Sequence, residues 1–402
     1  MIPASGADAR MRWMLRSVTL ISGAGQVIEF VLPLYAADGL GLSAAWTGLL
    51  LGAALIAAFL VRPLAGVAVD RVDRHTIAAA SAVILAAAYV LLATADSFVV
   101  ALVSAVIGRA ASTFLWIAFR AMAAGRSSTE PRASSRMLRA EDLGSWLVLA
   151  PAVGLVSLVG FEAALAAAAA CALGGAVVLV RMRTVQRAPR AESLPIGELM
   201  LGDRRTALTR KLKRDLRPVL LAVLLIGAAE AAMSLLLLMH LQRHLGLSPL
   251  ALAVTVLPSL LALTVAPQNV RTLTIRYGRR RMIWCALAAH VVCAVGLAVS
   301  REPTMIAALW ALSAVGLSAL LPIEQTIVAA VAGTRRVGRA FGLYETVALL
   351  GAGAGALFAG VLFDNWPWPA MCFACAGAMV GGGLVLVSCV PVTRMVPTRV
   401  EA

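Results

Sequence analysis

Charge is what this sequence has least of. Only 14% of its 402 residues are Asp, Glu, Lys or Arg, against 61% hydrophobic residues, and mean hydropathy is +0.90. A soluble domain is about a quarter charged and about half apolar, so the composition excludes one. Lysine is nearly missing: two of the 35 basic residues, Lys211 and Lys213. The net charge of +15 therefore rests on arginine. These arginines interleave with apolar runs, so membrane topology explains them better than nucleic acid, which is not expected as a partner. Histidines number four and aromatics make up 5%. Neither H-E-x-x-H nor G-x-x-x-x-G-K-[ST] occurs. An intramembrane metalloenzyme and a nucleotide-driven pump thus lack their chemistry. The chain is expected not to be an enzyme and to carry no cofactor or metal. All six cysteines lie in apolar stretches. Cys372 and Cys375 form a C-x-x-C there, read as packed thiols and not as redox or zinc chemistry.

What is present is apolar length. A spanning helix needs about 20 apolar residues, and the chain supplies twelve such runs. The first six fall near 15–37, 44–65, 76–95, 97–120, 143–160 and 161–180, the second six near 218–241, 249–268, 282–300, 303–331, 342–363 and 369–391. The first run continues past Glu29 without an A-x-A cleavage site, so it reads as a retained span and not a removed signal. The expected fold is all-α and integral to the membrane, with twelve transmembrane helices in two six-helix bundles. Residues 1–181 form the first bundle, 182–217 a polar cytoplasmic linker, and 218–402 the second bundle.

The basic residues set the orientation. With loops counted alternately, Arg243 and Arg301 fall on one side, Arg62, Arg109 and Arg120 inside spans, and every other Arg and Lys on the opposite side. Basic residues stay cytoplasmic, so both termini and the linker are expected inside. The expected location is a cell membrane, most simply the bacterial cytoplasmic one, with the lipid bilayer as partner and the chain a monomer.

An internal repeat joins the halves. "GVAVDRVDRH" (66–75) follows span 2 and "RTLTIRYGRRR" (271–281) follows span 8, with Arg74 and Arg279 in register at an offset of 205. Two six-span halves related by a parallel repeat are the plan of a large transporter class. At these residues the sequence resembles the major facilitator superfamily, whose loop between spans 2 and 3 carries a signature close to G-x-x-x-D-R-x-G-R-[RK]. Gly66, Asp70, Arg71 and Arg74 match it, while Asp73 and His75 depart from it; the second copy keeps Arg276, Gly278, Arg279 and Arg280. The resemblance implies that Gly66, Asp70, Arg71 and Arg74 belong to a conformational switch. In it Asp70 would cap an inter-bundle contact near the start of span 11, with Arg120 as charge partner. Arg109 matches an arginine that drug–proton antiporters of the family carry in span 4. The rest of that pattern is eroded: Ser112, Thr113 and Leu115 replace its Gln and two glycines, and Ala150 and Leu155 replace glycines in span 5.

Ionisable residues inside spans are costly and usually face a cavity or a partner. Glu29 in span 1, Arg109 in span 4 and Glu230 in span 7 are the candidates for proton coupling. Low dielectric favours a neutral glutamate and a neighbouring guanidinium an ionised one, so Glu29 reads as a proton carrier regulated by Arg109. A fixed ion pair joining spans 1 and 4 is the other reading. Glu230 reads equally as a coupling site or a neutral hydrogen-bonded acid. Phe30, Phe114, Trp116 and Glu324 are the candidate lining of a substrate cavity, with core packing the alternative for the aromatics. Glu141 and Asp142 open span 5 and suit its helix dipole. The function expected from all this is a secondary active transporter exporting a small organic molecule against protons by alternating access. Proton-coupled uptake remains open, as does a non-transporting sensor or assembly protein of the same fold.

Overall fold

A computed structural model describes residues 6–124, 133–184, 203–332 and 337–390, and all of their long elements are helices. In the first half these are α1 (Gly6–Leu34), α2 (Ala44–Arg71), α3 (Arg74–Ala93), α4 (Phe98–Ala124), α5 (Ala133–Leu158) and α6 (Phe161–Thr184). In the second they are α7 (Asp203–Arg243), α8 (Pro249–Tyr277), α9 (Arg279–Val299), α10 (Pro303–Ala332), α11 (Val337–Asn365) and α12 (Trp368–Cys389). Twelve of the described helices are long and apolar enough to cross a membrane. Backbone groups in lipid must be satisfied within the segment, which leaves the helix as the form such runs can take. Large apolar side chains on their surfaces, such as Leu60, Leu64, Val265 and Phe358, stay more than 60% exposed. That is what a lipid-facing wall presents.

Helices outrun the apolar spans that announce them. α7 starts at Asp203 and α5 at Ala133, well before the expected span starts near 218 and 143. Residues 203–217 are polar but rich in Arg, Lys, Leu and Ala, all good helix formers. Hydropathy marks where lipid ends, whereas propensity lets the helix continue into water. The same effect moves the repeated motif. α2 runs through Gly66, Asp70 and Arg71, so only Val72 and Asp73 separate it from α3. Asp73 caps α3 by accepting from the Thr76 amide at 2.9 Å. Between α8 and α9 the link is a single residue, Gly278, at φ +87°. Side chains disfavour that left-handed region by about 1–2 kcal/mol, so glycine suits the shortest turn. Arg74 and Arg279 become the first residues of α3 and α9, which gives the repeat a structural register.

The chain divides into two compact units. One comprises residues 1–201, 230–255 and 349–371. Within it α1 packs on α5 and α6, α3 on α4 and α6, and α2 on α4. Met11, Met14, Ile21, Leu115, Phe119 and Leu165 are among its large, fully buried side chains. α5 approaches α1 so closely at Gly144 that a β-carbon there would run into the Thr19 carbonyl. α2 meets α11 along a second close seam: a β-carbon on Gly48 would lie 2.6 Å from the Ala356 carbonyl oxygen and 2.9 Å from the Gly360 Cα. At Gly52 a β-carbon would run into the Leu357 side chain and lie 3.0 Å from the Gly353 carbonyl oxygen. A polar contact spans this seam, and contacts of α7 with neighbouring segments follow it. The Ala45 amide donates to Asp364 Oδ2 at 2.8 Å, and Arg243 Nη2 to the Leu42 carbonyl at 2.6 Å. Gln242 Nε2 donates to the Leu34 carbonyl at 3.2 Å. The His240 ring stacks on Trp368 at 3.8 Å.

The other unit comprises residues 202–229, 256–348 and 372–402. α9 packs on α10 there, around a core that includes Leu216, Ile283, Leu320, Val328 and Leu386. His290 Nδ1 lies 2.8 Å from the Ala286 carbonyl oxygen, one helical turn back.

Candidate functional site

Within the first unit a cavity of about 460 Å³ opens between α1–α5 and parts of α7 and α11. Its polar lining follows helical spacing. α1 contributes Ser22, Gln26 and Glu29, at i, i+4 and i+7, and α4 contributes Arg109, Ser112 and Trp116, at i, i+3 and i+7. α5 adds Glu141 and Ser145 at i and i+4. Each trio occupies one stripe of an otherwise apolar helix. α2 and α7 supply an apolar wall that includes Leu51, Leu55, Leu235 and Leu238.

At the centre of this lining Arg109 Nη1 donates to Glu29 Oε1 at 2.9 Å. The structure therefore brings together the two mid-span charges singled out from the sequence. Neither is sealed in: the side chains remain 35% and 52% exposed, and both line the cavity. An ion pair of this length is a charge-assisted hydrogen bond. Open to a cavity, it can be competed for by a proton at the carboxylate or by a charged solute.

The remaining candidates are more dispersed. Trp116 lines the cavity, whereas Phe30 and Phe114 are half-buried against the core of the first unit. Glu230 is half-buried on α7, one residue before the lining residue Ala231. Glu324 belongs to the second unit, where it is 2% exposed and accepts a hydrogen bond from Tyr344 Oη at 3.1 Å. Its other carboxylate oxygen has no hydrogen-bond partner among the described residues. In the repeated motif, Gly66 and Arg71 sit on the last turns of α2, and Arg74 Nη1 donates to the Ala121 carbonyl at 3.0 Å. The Asp70 side chain lies outside the described residues. Arg120 is exposed near the end of α4 and lies within electrostatic reach of Glu141.

Glu141 is the residue that sequence reasoning misplaced. Because α5 begins at Ala133, Glu141 stands two turns inside the helix and not in its first turn. The dipole explanation loses its basis, since that effect fades beyond the first turn. The residue instead lines the cavity with Glu29 and Arg109. Its backbone carbonyl accepts from Ser22 Oγ at 2.6 Å and from Ser145 Oγ at 3.1 Å. The i, i+4 pair Glu141–Ser145 was the available signal.

Twelve membrane-length helices in two halves, with an ionic pair open to an internal cavity, define a multi-pass membrane protein of the transporter type. The profile of the Major Facilitator Superfamily matches residues 17–270 and 219–402. The chain belongs to that family. A comparison with curated protein sequences returned no match. Among solved structures, the nucleoside transporter NupG is similar over 94% of this chain and 98% of its own, at 15% identity and a TM-score of 0.75. The peptide transporter POT in complex with sulfate is similar over 94% of each chain, at 14% identity and a TM-score of 0.74. A bacterial homolog of the human lysosomal transporter Spinster, inward-facing and unoccupied, covers 96% of this chain and 95% of its own at 17% identity, with a TM-score of 0.69. At such identities the likeness concerns the fold.

Proposed function

We propose that this chain is a secondary active transporter that exports a small organic molecule in exchange for protons, by alternating access. The observation that carries the reading is the Glu29–Arg109 pair, set in the wall of a cavity and only half covered. A permanently fixed pair in hydrocarbon adds little net stability over an apolar substitute. A pair that must open to admit a proton gives the cost a purpose. Glu29 is the proton carrier and Arg109 the group that displaces the proton when it closes on the carboxylate. Glu230 is the secondary coupling site. Gly66, Asp70, Arg71, Arg74 and Arg120 bias the switch between the two access states, and Trp116, Phe30, Phe114 and Glu324 are the proposed contacts of the substrate path. The bundles are 1–181 and 218–402, joined by 182–217. The termini face the cytoplasm, the membrane is the bacterial cytoplasmic one, and the working unit is a monomer.

The test is proton movement in proteoliposomes. Glu29→Gln mimics the protonated carboxylate and keeps its size. It is expected to abolish gradient-driven accumulation while leaving substrate binding and downhill exchange measurable. Full proton coupling in Glu29→Gln would overturn the assignment.

A further inference from the structure

The α1–α5 side of the cavity differs from a generic apolar pocket in the sign of its hydrogen bonding. A hydroxyl carries one donor and two acceptor sites, and three of the lining serines spend that donor on backbone. Ser22 and Ser145 donate to the Glu141 carbonyl and Ser104 to the Val100 carbonyl, at 2.6, 3.1 and 2.6 Å. What they can offer a solute is oxygen lone pairs. Two carboxylates, Glu29 and Glu141, add acceptors, while the donors in the lining include Arg109, whose Nη1 is given to Glu29, and Gln26, Tyr89 and Trp116. Glu141 Oε2 is buried and accepts no hydrogen bond among the described residues. The charged groups that act on Glu141 are Arg120, Asp142 and Glu29, and of these only Glu29 shares the lining. Ser22 Oγ and Ser145 Oγ lie 3.0 Å apart, and both bond the backbone carbonyl of Glu141, whose side chain lines the same cavity. Leu51, Leu55 and the Trp116 ring face it from other helices.

We propose that this cavity selects a primary-amine cation with an apolar body: the ammonium is seated by Glu141 and the Ser22 and Ser145 oxygens, the body by Leu51, Leu55 and Trp116. An –NH₃⁺ group is donor-only, with three hydrogens, and complements an acceptor-rich surface in both charge and hydrogen bonding. A quaternary ammonium has the charge without the donors, an alcohol the reverse. The ammonium's role as transported substrate rests on the transport reading above. Its role as ligand does not.

The experiment is calorimetric titration of the purified full chain with four probes of one shape: 2-phenylethylamine, its N,N,N-trimethyl derivative, 2-phenylethanol and 3-phenylpropanoate. A hydrogen bond to a charged group discriminates by about tenfold or more. The primary amine is therefore expected to bind at least about tenfold tighter than the trimethyl and alcohol probes, with the carboxylate weakest. Glu141→Gln should bring amine and alcohol to similar affinities, while Glu141→Asp keeps the ranking. Equal binding of amine and alcohol, tightest binding of the carboxylate, no binding of the amine, or an unchanged ranking in a folded Glu141→Gln would each overturn the proposal. Proton movement on adding 2-phenylethylamine to proteoliposomes is read in parallel. An intact ranking without proton movement would remove the transport reading and leave the ligand class standing. Proton-coupled transport of another solute with no ranking would do the opposite.

Discussion

Arg109 shows how much of the site depends on geometry beyond charge. It holds Glu29 by one 2.9 Å contact across two helices, and a guanidinium can do so as a planar fork where an ammonium is a point charge. Arg109→Ala is expected to reduce proton-coupled transport about tenfold or more, the scale of one lost charge-assisted hydrogen bond. Arg109→Lys should recover only part of it. Equal activity in Arg109→Lys and the native protein, measured as protons moved per solute, would reduce the arginine to a charge. The Glu29–Arg109 pair was legible in the sequence because opposite charges at mid-span have few neutral explanations. Glu141 was not, because its meaning hinged on where α5 starts, and the polar residues before 143 concealed eight or more residues of helix.

Among the elements, the α1–α5 contact sets the floor of the cavity. Ser22 and Glu141 share it with Gly144 and Thr19. Gly144→Val would force a β-branched side chain against the Thr19 carbonyl, and overpacking of this kind costs about 1–3 kcal/mol. The expected readout is a lower melting temperature in detergent together with a loosened Ser22–Glu141 bond. Gly154, further along the same helix, has nothing within 4 Å of a β-carbon. There Gly154→Ala should stabilise by about 0.5–1 kcal/mol through helix propensity. If both variants melted alike, the close approach would carry no weight. Span positions were readable from apolar length, but the tight junctions were not. Hydropathy is silent on whether "GVAVDRVDRH" and its second copy are loops or the ends of helices; the Asp73 cap decides the first and the Gly278 turn the second.

At the scale of the whole molecule, the proposed orientation follows from the placement of arginine. Reporter fusions after Ser193 and Val390 are expected in the cytoplasm, and fusions after Asp96 and Arg301 outside, given the positive-inside bias. A fusion after Ser193 that reported from the outside would invert the architecture. Fold and family could be read from span count and the repeated motif, while the proposed ligand chemistry could not, because that proposal rests on which serines spend their hydrogens on backbone. The seam between α2 and α11 carries a last consequence. Gly48 and Gly360 meet backbone, while the side chains of Leu357, Ile56 and Leu55 pack around Gly52 and Gly353, and glycine has no rotamers to freeze on contact or to release on parting. At its glycine end a joint made this way would shed almost no side-chain entropy on shutting, while its leucine end would have apolar surface to rewet on opening. In the proposed alternating-access cycle the glycine end would part more cheaply than the leucine end, with the Ala45–Asp364 hydrogen bond as its clasp. Larger side chains along it would act as glue or as grit, and in either case the cycle would slow while the resting fold still looked sound.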